Sequence, residues 1–398
     1  MHYELLSKIF YKNNAAYEDT YLKRFNNEFA YHYDFIIGEH QAFVGMDVQI
    51  LNLVTNILQL DKRLLKATQS IPSIALIQFT KKCIVDEIKL TNEIEGVHST
   101  RKEINEIIND KTENKRSKRL YGLVQKYLML LDGQRIELKS CQDIRNLYDG
   151  LVLAEVKADN PKNVPDGEIF RKEGVDIVSP SQKVIHKGLY PETKIITAMT
   201  SAMAILDDSQ MNCFVNIAVF HYMFAYIHPF YDGNGRMGRF ISSYLLVQQL
   251  EPVVGFGLSY TVEQKIKKYY DMFKEGNDYK NKGDLTLFVI GFLEIVEESI
   301  KNLCSTLEAR AEKFNFYNGK IEKYAKENKH LGSIIYVLVQ NSLFGDEGIS
   351  IQEIAENANL SSSTVRACIK QIPVDMLIIS QNGRMNIYDV NLDIVAKI

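Results

Sequence analysis

The chain has 398 residues, of which 46% are hydrophobic and 24% are charged, and its formal net charge at pH 7 is −3. This composition is that of a folded globular protein and excludes an intrinsically disordered chain. A net charge so close to zero gives no overall attraction to nucleic acid or to an anionic membrane, so any anionic ligand must be held by a local site. The five cysteines are scattered, without a C-x-x-C pair, which argues against a disulfide framework or a thiolate metal site and fits a reducing cytoplasm.

The N-terminal part of the chain, residues 1–125, is predicted to be helical. Its first ten residues mix charged and apolar side chains and lack the apolar segment of a signal peptide. From about Gln41 to Asn109, apolar residues recur at helical spacing, and Pro72 separates two of the predicted helices. Thr100 followed by Glu103 resembles a capping box that opens the next helix.

Two short β-branched runs interrupt the helical pattern. Val175–Val178 and Lys183–His186 flank the sequence Ser179-Pro-Ser-Gln182, which is typical of a β-hairpin. Pro191 and Glu192 then have the character of the first turn of a helix. We therefore predict a hairpin followed by a helix.

The most apolar long stretch of the chain is Phe214–Ile227. It is too short to span a bilayer, and it contains Asn216 and His221. We predict a core helix, in which His221 is a hydrogen-bonded core histidine, and we expect no membrane association.

The twelve residues from His228 to Arg239 carry the densest set of functional side chains, with the sequence His-Pro-Phe-Tyr-Asp-Gly-Asn-Gly-Arg-Met-Gly-Arg. Pro229 should end the preceding helix, and Phe240–Leu250 should form the next one. Between them, Asp232–Arg236 is predicted to be a loop that opens onto a helix N-terminus.

Glycine and arginine make this loop suitable for a polyphosphate. Gly233 and Gly235 allow a sharp turn in which several backbone N–H groups point at one ligand. The helix dipole and the guanidinium groups of Arg236 and Arg239 add positive potential. The sequence therefore predicts an anion-binding nest.

Two further side chains of the motif suit chemistry at phosphorus. A neutral imidazole at His228 could accept the proton of an attacking hydroxyl. The carboxylate of Asp232 is a hard oxygen ligand for a magnesium ion held mainly by substrate phosphates. The alternative is a Gly-rich interhelical turn with a capping aspartate and a solvated arginine. Because six functional residue types occur in one order, we favour a phosphate-handling active site.

The rest of the chain divides into a connector and a small C-terminal domain. Residues 306–330 are highly charged and are predicted to be a helical connector. Residues 331–398 have the order helix, short helix, turn, helix and two strands joined at Asn382-Gly383, which resembles a winged helix-turn-helix. With four basic and seven acidic residues, this segment lacks the basic stripe that DNA contact normally needs. A small basic stripe could be supplied by Arg366, Lys370 and Arg384. DNA binding, protein docking and dimerisation all stay open.

The motif from His228 to Arg239 is similar to the active-site motif of the Fic family, H-P-F-x-D/E-G-N-G-R-x-x-R, and it matches every fixed position. The resemblance extends over roughly Gln41 to Ile300. It implies a mainly α protein, a Fic-fold helical bundle with a small β-hairpin flap and a catalytic core at residues 126–305, in which Phe230 is a core anchor. Most members with this form of the motif are protein adenylyltransferases, which move AMP from ATP to a Ser, Thr or Tyr hydroxyl of a target protein and release pyrophosphate. Doc-like kinases instead replace the glycine of the Gly235-Arg236 pair with lysine.

The resemblance also implies roles for individual residues. His228 would be the base for the hydroxyl, and Asp232 would bind Mg²⁺ between the α- and β-phosphates. Residues 233–235 would form the nest, and both arginines would contact the distal phosphates. Tyr269, Tyr270 and Asn277 resemble family positions that line the adenine site. A tyrosine pair packed within a helix is the alternative. The implied nucleotide-binding residues are Gly233, Asn234, Gly235, Arg236, Gly238, Arg239, Tyr269, Tyr270 and Asn277.

A second motif, Thr91-Asn-Glu-Ile-Glu-Gly96, lies on a predicted helix and resembles the inhibitory motif of Fic proteins, S/T-x-x-x-E-G/N. In that family the glutamate pairs with the second arginine of the active-site motif, and ATP then binds in a non-productive pose. The resemblance implies an inhibitory Glu95–Arg239 ion pair, with Thr91 one helical turn earlier on the same face. A solvated glutamate at the end of a helix is the alternative.

The resemblance further implies a protein substrate that docks on the flap, residues 175–186, by β-addition, with self-modification and a homo-oligomer as further expectations. Three other functions stay open. One is a phosphodiesterase that removes AMP from a modified protein, with Glu95 orienting water. The others are a DNA-binding regulator whose Fic core senses nucleotide, and a catalytically idle interaction module.

Overall fold

The computed structural model describes residues 3–109, 118–178, 184–382 and 385–397. The predicted mainly α architecture is confirmed. The α-helices of this described part are α1 (Leu6–Lys12), α2 (Asn14–Phe25), α3 (Val48–Gln69), α4 (Ser73–Ile94), α5 (Arg101–Asn109), α6 (Tyr121–Leu131), α7 (Cys141–Leu151), α8 (Leu153–Asp159), α9 (Glu192–Ala204), α10 (Cys213–Ile227), α11 (Asn234–Val247), α12 (Leu258–Gln264), α13 (Ile266–Gly276), α14 (Thr286–Tyr324), α15 (Lys329–Phe344), α16 (Ile351–Ala358), α17 (Ser362–Ile369) and α18 (Leu392–Val395).

The strands form three small antiparallel sheets. They are β1 (Ala30–Ile37), β2 (His40–Gly45), β3 (Asp176–Val178), β4 (Val184–Lys187), β5 (Ile349–Ser350), β6 (Leu377–Asn382) and β7 (Met385–Val390). β1 pairs with β2, β3 pairs with β4, and the third sheet has the order β5-β7-β6. The predicted hairpin is therefore present, with Asp176 opposite Lys187. Its predicted turn, residues 179–182, lies outside the described residues, as do Lys183, Gly383 and Arg384.

The hairpin of β1 and β2 shows where the helical prediction from Gln41 onward was wrong. Tyr33, Phe35 and Ile37 alternate along β1 with exposed residues, and each is at most 5% exposed. Gly38 then turns the chain with a φ of 61°, a conformation that glycine adopts without strain. The period-2 alternation of β1 was the available signal.

The chain divides into two compact units. The first comprises Met1–Asp61 and Val85–Ile300, and the second comprises Lys62–Ile84 and Lys301–Ile398. In the first unit, α10 packs against α9 and α11 and is buried on nearly every side, so the predicted core helix is confirmed. No helix in the described ranges combines the length and the apolar character that a membrane crossing requires.

The second unit contains the winged helix-turn-helix arrangement. α15, α16 and α17 pack on one another, and α15 and α16 also pack on the β5-β7-β6 sheet. Ser350 and Glu353 form a capping box at the start of α16, and Asn359 ends that helix with a left-handed φ of 53°. The predicted order of elements is confirmed, with β5 as an additional short strand. Residues 306–324 of the predicted connector belong to the long helix α14.

Candidate active site

The loop between α10 and α11 is shorter than predicted, because α11 begins at Asn234 rather than at Phe240. Gly233 precedes the helix with a φ of 81°. The side-chain amide of Asn234 accepts a hydrogen bond from the backbone N–H of Phe230 at 3.0 Å and donates one to its carbonyl at 2.8 Å. This amide closes the loop before the helix, so residues 235–239 lie in the first turns of α11.

Phe230 anchors the loop in the core. Its ring is fully buried and stacks on the ring of Tyr148, with centroids 3.7 Å apart, while Phe170 packs edge-on at 5.5 Å. Burial of aromatic surface therefore fixes the loop between α7 and the segment that leads into β3.

His228 is the last residue before the loop and has a left-handed backbone, with φ 52° and ψ 63°. Its Nδ1 lies 3.4 Å from the carbonyl oxygen of Ala225, which can only accept, so Nδ1 carries the proton and Nε2 has the free lone pair. Burial lowers the pKa of His228 to about 3, although the backbone bond to Ala225 opposes this shift. The imidazole is consequently neutral at physiological pH and able to accept a proton.

A pocket of about 610 Å³ opens beside this imidazole. It brings together most of the residues that the sequence analysis singled out. Its predicted lining residues are Glu95, His228, Asn234, Gly235, Gly238, Arg239, Tyr269, Tyr270 and Asn277. Four others from the same set, all within the described ranges, do not line it: Thr91, Asp232, Gly233 and Arg236. Lining residues that sequence reasoning missed include Lys274, one turn from Tyr270 on α13, and His186 on β4.

The guanidinium of Arg239 is held by the end of α4. Its Nε donates to Thr91 Oγ1 at 2.9 Å, and one terminal nitrogen donates to the Thr91 carbonyl at 3.0 Å and lies 2.7 Å from Glu95 Oε1. Arg239 is 1% exposed, whereas the Glu95 side chain is 28% exposed. Burial alone lowers the pKa of Arg239, but the Glu95 carboxylate outweighs it, so the pKa is raised.

The carboxylate of Glu95 also occupies the space beside Gly235. A Cβ at position 235 would overlap Glu95 Oε1. Because position 235 is in the first turn of α11, the carboxylate lies where backbone N–H groups and the helix dipole favour an anion. Glu95 thus fills part of the predicted phosphate nest.

Arg236 forms a second buried ion pair, which sequence reasoning missed. One terminal nitrogen lies 2.9 Å from Glu155 Oε2 on α8, and the other lies 3.4 Å from Asp232 Oδ1. Asp232 Oδ1 also accepts from the N–H of Gly233 at 2.5 Å. Burial raises the pKa of Glu155, and the charge of Arg236 opposes that rise. No local pattern marks Glu155, because its partner is 81 residues away in the chain.

The far end of the pocket is aromatic and contains an oriented amide. Tyr222 donates its hydroxyl hydrogen to Asn277 Oδ1 at 2.7 Å, which leaves the amide N–H groups of Asn277 for a ligand. The hydroxyl of Tyr269 lies 2.8 Å from Nε2 of His221, and Nδ1 of that ring lies 2.8 Å from Ser242 Oγ. His221 is therefore the buried core histidine that the sequence predicted. Tyr270 is 45% exposed and is the more accessible of the two tyrosines.

The end of α4, which carries Thr91, is held within the first unit by a buried carboxylate, Glu87, one turn before Thr91. It accepts hydrogen bonds from the N–H of Ser259 at 2.8 Å, from Ser259 Oγ at 2.5 Å and from the Tyr127 hydroxyl at 3.4 Å. Burial raises the pKa of Glu87 to about 7, although the bonds from Ser259 oppose the rise. This attachment helps to set the position of Thr91 and Glu95 beside Arg239.

Comparisons with known proteins agree with this geometry. Residues 140–246 match the model of the Fic/DOC family, and residues 341–371 match a winged helix-turn-helix DNA-binding family. Over 87 residues, the chain is 34% identical to the protein adenylyltransferase Fic of Drosophila persimilis and to that of Drosophila pseudoobscura pseudoobscura. Each match covers 22% of this chain and only 15% of the relative.

A solved structure extends the likeness in fold. The crystal structure of a Fic family protein from Desulfovibrio desulfuricans G20 has a TM-score of 0.54 and 18% sequence identity, and the likeness covers 87% of this chain and 97% of that one. At this identity the likeness concerns the fold alone. The family-model matches themselves show a Fic/DOC family domain at residues 140–246, followed by a winged helix-turn-helix match at residues 341–371.

Proposed function

We propose that the chain is a protein adenylyltransferase that transfers AMP from ATP to a Ser, Thr or Tyr hydroxyl of a target protein. The observation that carries the proposal is a single pocket containing a neutral imidazole, His228, beside a helix N-terminus and the guanidinium of Arg239. A base at one side of an anion site is the arrangement that transfer at phosphorus requires.

In the proposed reaction, the hydroxyl oxygen of the target attacks the α-phosphorus of ATP. A new phosphorus–oxygen bond forms as the bond from that phosphorus to the bridging oxygen of the β-phosphate breaks, and pyrophosphate leaves. Nε2 of His228 takes the hydroxyl proton, because Nδ1 already donates to Ala225.

The triphosphate would lie on the N-terminal turn of α11. The N–H groups at residues 234 and 235 and the helix dipole favour it there, whereas the Gly233 N–H already donates to Asp232. Arg239 would contact the γ-phosphate once Glu95 has left. Arg236 is also proposed to contact the distal phosphates, through the terminal nitrogen that faces Asp232, while its other terminal nitrogen stays paired with Glu155. The purine would lie against Tyr269 and Tyr270, with the Asn277 amide as a donor to its edge.

Asp232 fits the proposed magnesium ion. Magnesium in nucleotide sites is commonly held by one or two carboxylates and the substrate phosphates, so a dedicated cage is not needed. The Asp232 side chain is 32% exposed, and its bonds to Gly233 and Arg236 both use Oδ1, so Oδ2 is the oxygen suited to the ion. When bound, magnesium would neutralise charge that develops on the leaving pyrophosphate.

Glu95 is proposed to restrain the reaction. While its carboxylate pairs with Arg239 and lies against Gly235, the distal phosphates cannot occupy the nest without displacing it. A target segment is proposed to add as a strand to the hairpin of β3 and β4, whose Val184 and Ile185 are exposed at 41% and 43%.

The experiment is incubation with Mg²⁺ and ATP labelled at the α-phosphate, followed by detection of label on the chain and of released AMP and pyrophosphate. Glu95→Gly should increase self-labelling and pyrophosphate release, and Glu95→Gly with His228→Ala should abolish both. Free AMP released from a modified protein in a Glu95-dependent manner would instead identify a phosphodiesterase.

DNA binding is a second candidate function, for residues 331–398, favoured by the winged helix-turn-helix DNA-binding model that matches residues 341–371. Arg366 on α17 and Lys370, the residue that follows this helix, are both exposed and lie four residues apart. If they contact phosphates, replacing both with alanine in the full chain should weaken the mobility shift of labelled duplex DNA and reduce its salt dependence. An absence of any shift at low salt would leave protein docking or dimerisation.

A further inference from the structure

Arg171 is a fully buried guanidinium whose hydrogen bonds run to backbone carbonyl oxygens. Its Nε donates to the carbonyl of His228 at 2.9 Å. One terminal nitrogen donates to Glu173 at 2.6 Å, and the other donates to Leu189 at 2.9 Å and to Ile227 at 3.5 Å. Burial lowers the pKa of Arg171. A buried charge is costly unless it is paired or hydrogen-bonded, and here the four carbonyl oxygens supply the hydrogen bonds.

The four carbonyls belong to two different parts of the site. Glu173 and Leu189 flank the hairpin of β3 and β4, whereas Ile227 and His228 end α10. Two backbone bonds join the same parts, from the N–H of Arg171 to Pro229 at 3.3 Å and from the N–H of Leu189 to Ile227 at 3.1 Å. The guanidinium is therefore the side-chain link between the hairpin and the residue that carries the imidazole.

The backbone of His228 needs this link. A left-handed φ is unfavourable for a residue with a Cβ, and the last carbonyls of a helix have no partner within the helix. Arg171 Nε supplies a donor to one of these carbonyls, that of His228 itself. The approach is close, because a Cβ at Gly188 would overlap the Arg171 guanidinium and lie 3.1 Å from Cβ of His228.

We propose that Arg171 is a positioning residue for AMP transfer, which fixes the imidazole of His228 relative to the hairpin on which the target segment docks. The proposal rests on the proposed function. The side chain of Arg171 would hold His228, the proposed base, at a fixed position relative to the β3–β4 hairpin. The target strand that presents the hydroxyl is proposed to dock on this hairpin. Misplacing a reacting group by about 1 Å can reduce a rate by about a hundredfold, so this link should act on kcat.

The charge of Arg171 adds a second, separable effect on His228. After burial, it is among the groups that lower the pKa of that imidazole, together with His186 on β4. The other charged groups on the pocket lining are Glu95, Arg239, Asp271 and Lys274. Because a positive neighbour disfavours a second positive charge, removal of the Arg171 charge should raise the pKa of His228.

The test uses the full chain with Glu95→Gly as the parent, into which Arg171→Met and Arg171→Lys are introduced separately. Methionine removes the charge and the N–H donors, whereas lysine keeps the charge but lacks the planar set of guanidinium N–H donors. Arg145→Met is the matched control, since Arg145 also donates to a carbonyl, that of Ile169, and pairs with Asp149. The readouts are kcat and KM for AMP transfer, and the His228 pKa from NMR titration of histidine labelled at Cε1 and assigned with His228→Gln.

Arg171→Met should lower kcat by about tenfold or more with little change in KM for ATP. It should also raise the pKa of His228. Arg171→Lys should lower kcat while leaving that pKa near the parent value, and Arg145→Met should change neither quantity. If Arg171→Met does not fold by circular dichroism, the kcat of Arg171→Lys carries the test.

Two results would overturn the proposal. One is a kcat in both Arg171 variants equal to that of the parent, even with a lower thermal midpoint, since that outcome means a structural role alone. The other is an unchanged His228 pKa in a folded Arg171→Met variant. An inactive parent would refute the proposed function instead, and the NMR titration would still test Arg171.

Discussion

Arg236 and Arg239 lie one turn apart at the start of α11, and both are 1% exposed, yet their carboxylate partners differ. Glu155 is 6% exposed at its side chain and comes from α8 within the core. Glu95 is 28% exposed, comes from the end of α4 and lines the pocket. The exposure of the partner carboxylate therefore distinguishes the two pairs.

This difference separates a structural ion pair from one that a ligand can exchange. When a buried pair loses one partner, the other charge is left in a low dielectric without compensation. Glu95 can move into the pocket and regain water, so the cost of breaking its pair is smaller. We therefore propose that the Glu155 pair stabilises the fold and that the Glu95 pair regulates ligand binding.

The largest effect is expected from Glu155→Ala. This substitution leaves Arg236 buried without its main partner and should lower the free energy of unfolding by about 3–5 kcal/mol. Denaturant unfolding measures it. Asp149→Ala is the matched control, because it breaks the more exposed Arg145–Asp149 pair and should cost only about 0–1 kcal/mol. Equal losses of unfolding free energy in the two variants would show that the Glu155 pair has no special structural role.

Glu95→Gly should raise the initial rate of AMP transfer by about 5- to 150-fold, the range of typical coupling between a regulatory contact and a ligand site. Glu93→Gly is the control, because it places glycine in the last turn of α4, two residues earlier, and breaks only a pair with Lys89. A similar increase in both variants would attribute the effect to loosening of α4, not to the Arg239 pair.

Thr91→Val should have a smaller effect in the same direction. It keeps the side-chain shape and removes the oxygen that accepts from Arg239 Nε, while the backbone carbonyl of Thr91 still accepts. We expect a rise in transfer of about threefold, since a net hydrogen bond contributes about 0.5–1.5 kcal/mol. In the Glu95→Gly background the same change should add less, and full additivity would show that Thr91 and Glu95 act independently.

The smallest expected effect is on pH dependence. With an ordinary pKa of about 6.5, only about a tenth of a histidine is neutral at pH 5.5, and the rate would fall about tenfold from pH 8. The folded-state pKa of His228 is instead about 3, so the imidazole stays neutral over this range. The transfer rate of Glu95→Gly at saturating ATP should therefore change less than about twofold between pH 8 and 5.5. A transfer rate that falls below about pH 6.5 because His228 becomes protonated would contradict the assignment of a buried, neutral imidazole.

The parts that sequence reasoning predicted are those whose residues are close in the chain. The winged helix order and the hairpin of β3 and β4 follow from local periodicity. The His228 motif identified the site because its residues are consecutive, and the resemblance supplied the Glu95–Arg239 pair that the geometry contains.

The parts that sequence reasoning missed depend on distant contacts. Glu155 carries no local pattern, because its partner Arg236 is 81 residues away. Arg171 precedes the predicted hairpin, but its contact with His228, 57 residues away, could not be predicted locally. The start of α11 was misplaced, since the Asn234 amide closes the loop through Phe230 and lets the helix begin within the glycine-rich segment. β1 and β2 were missed because residues 1–125 were predicted to be helical and the helical spacing was extended back to Gln41.

The most direct test of the central claim is a pair of crystal structures, of the wild-type chain and of Glu95→Gly, each with Mg²⁺ and a non-hydrolysable ATP analogue. In the variant we expect the γ-phosphate on Arg239 and the α-phosphorus facing Nε2 of His228, with room for an incoming hydroxyl. In the wild type we expect Arg239 on Glu95 and a different triphosphate pose. A triphosphate bound outside the pocket of His228 and Arg239, or the same pose in both structures, would contradict the account.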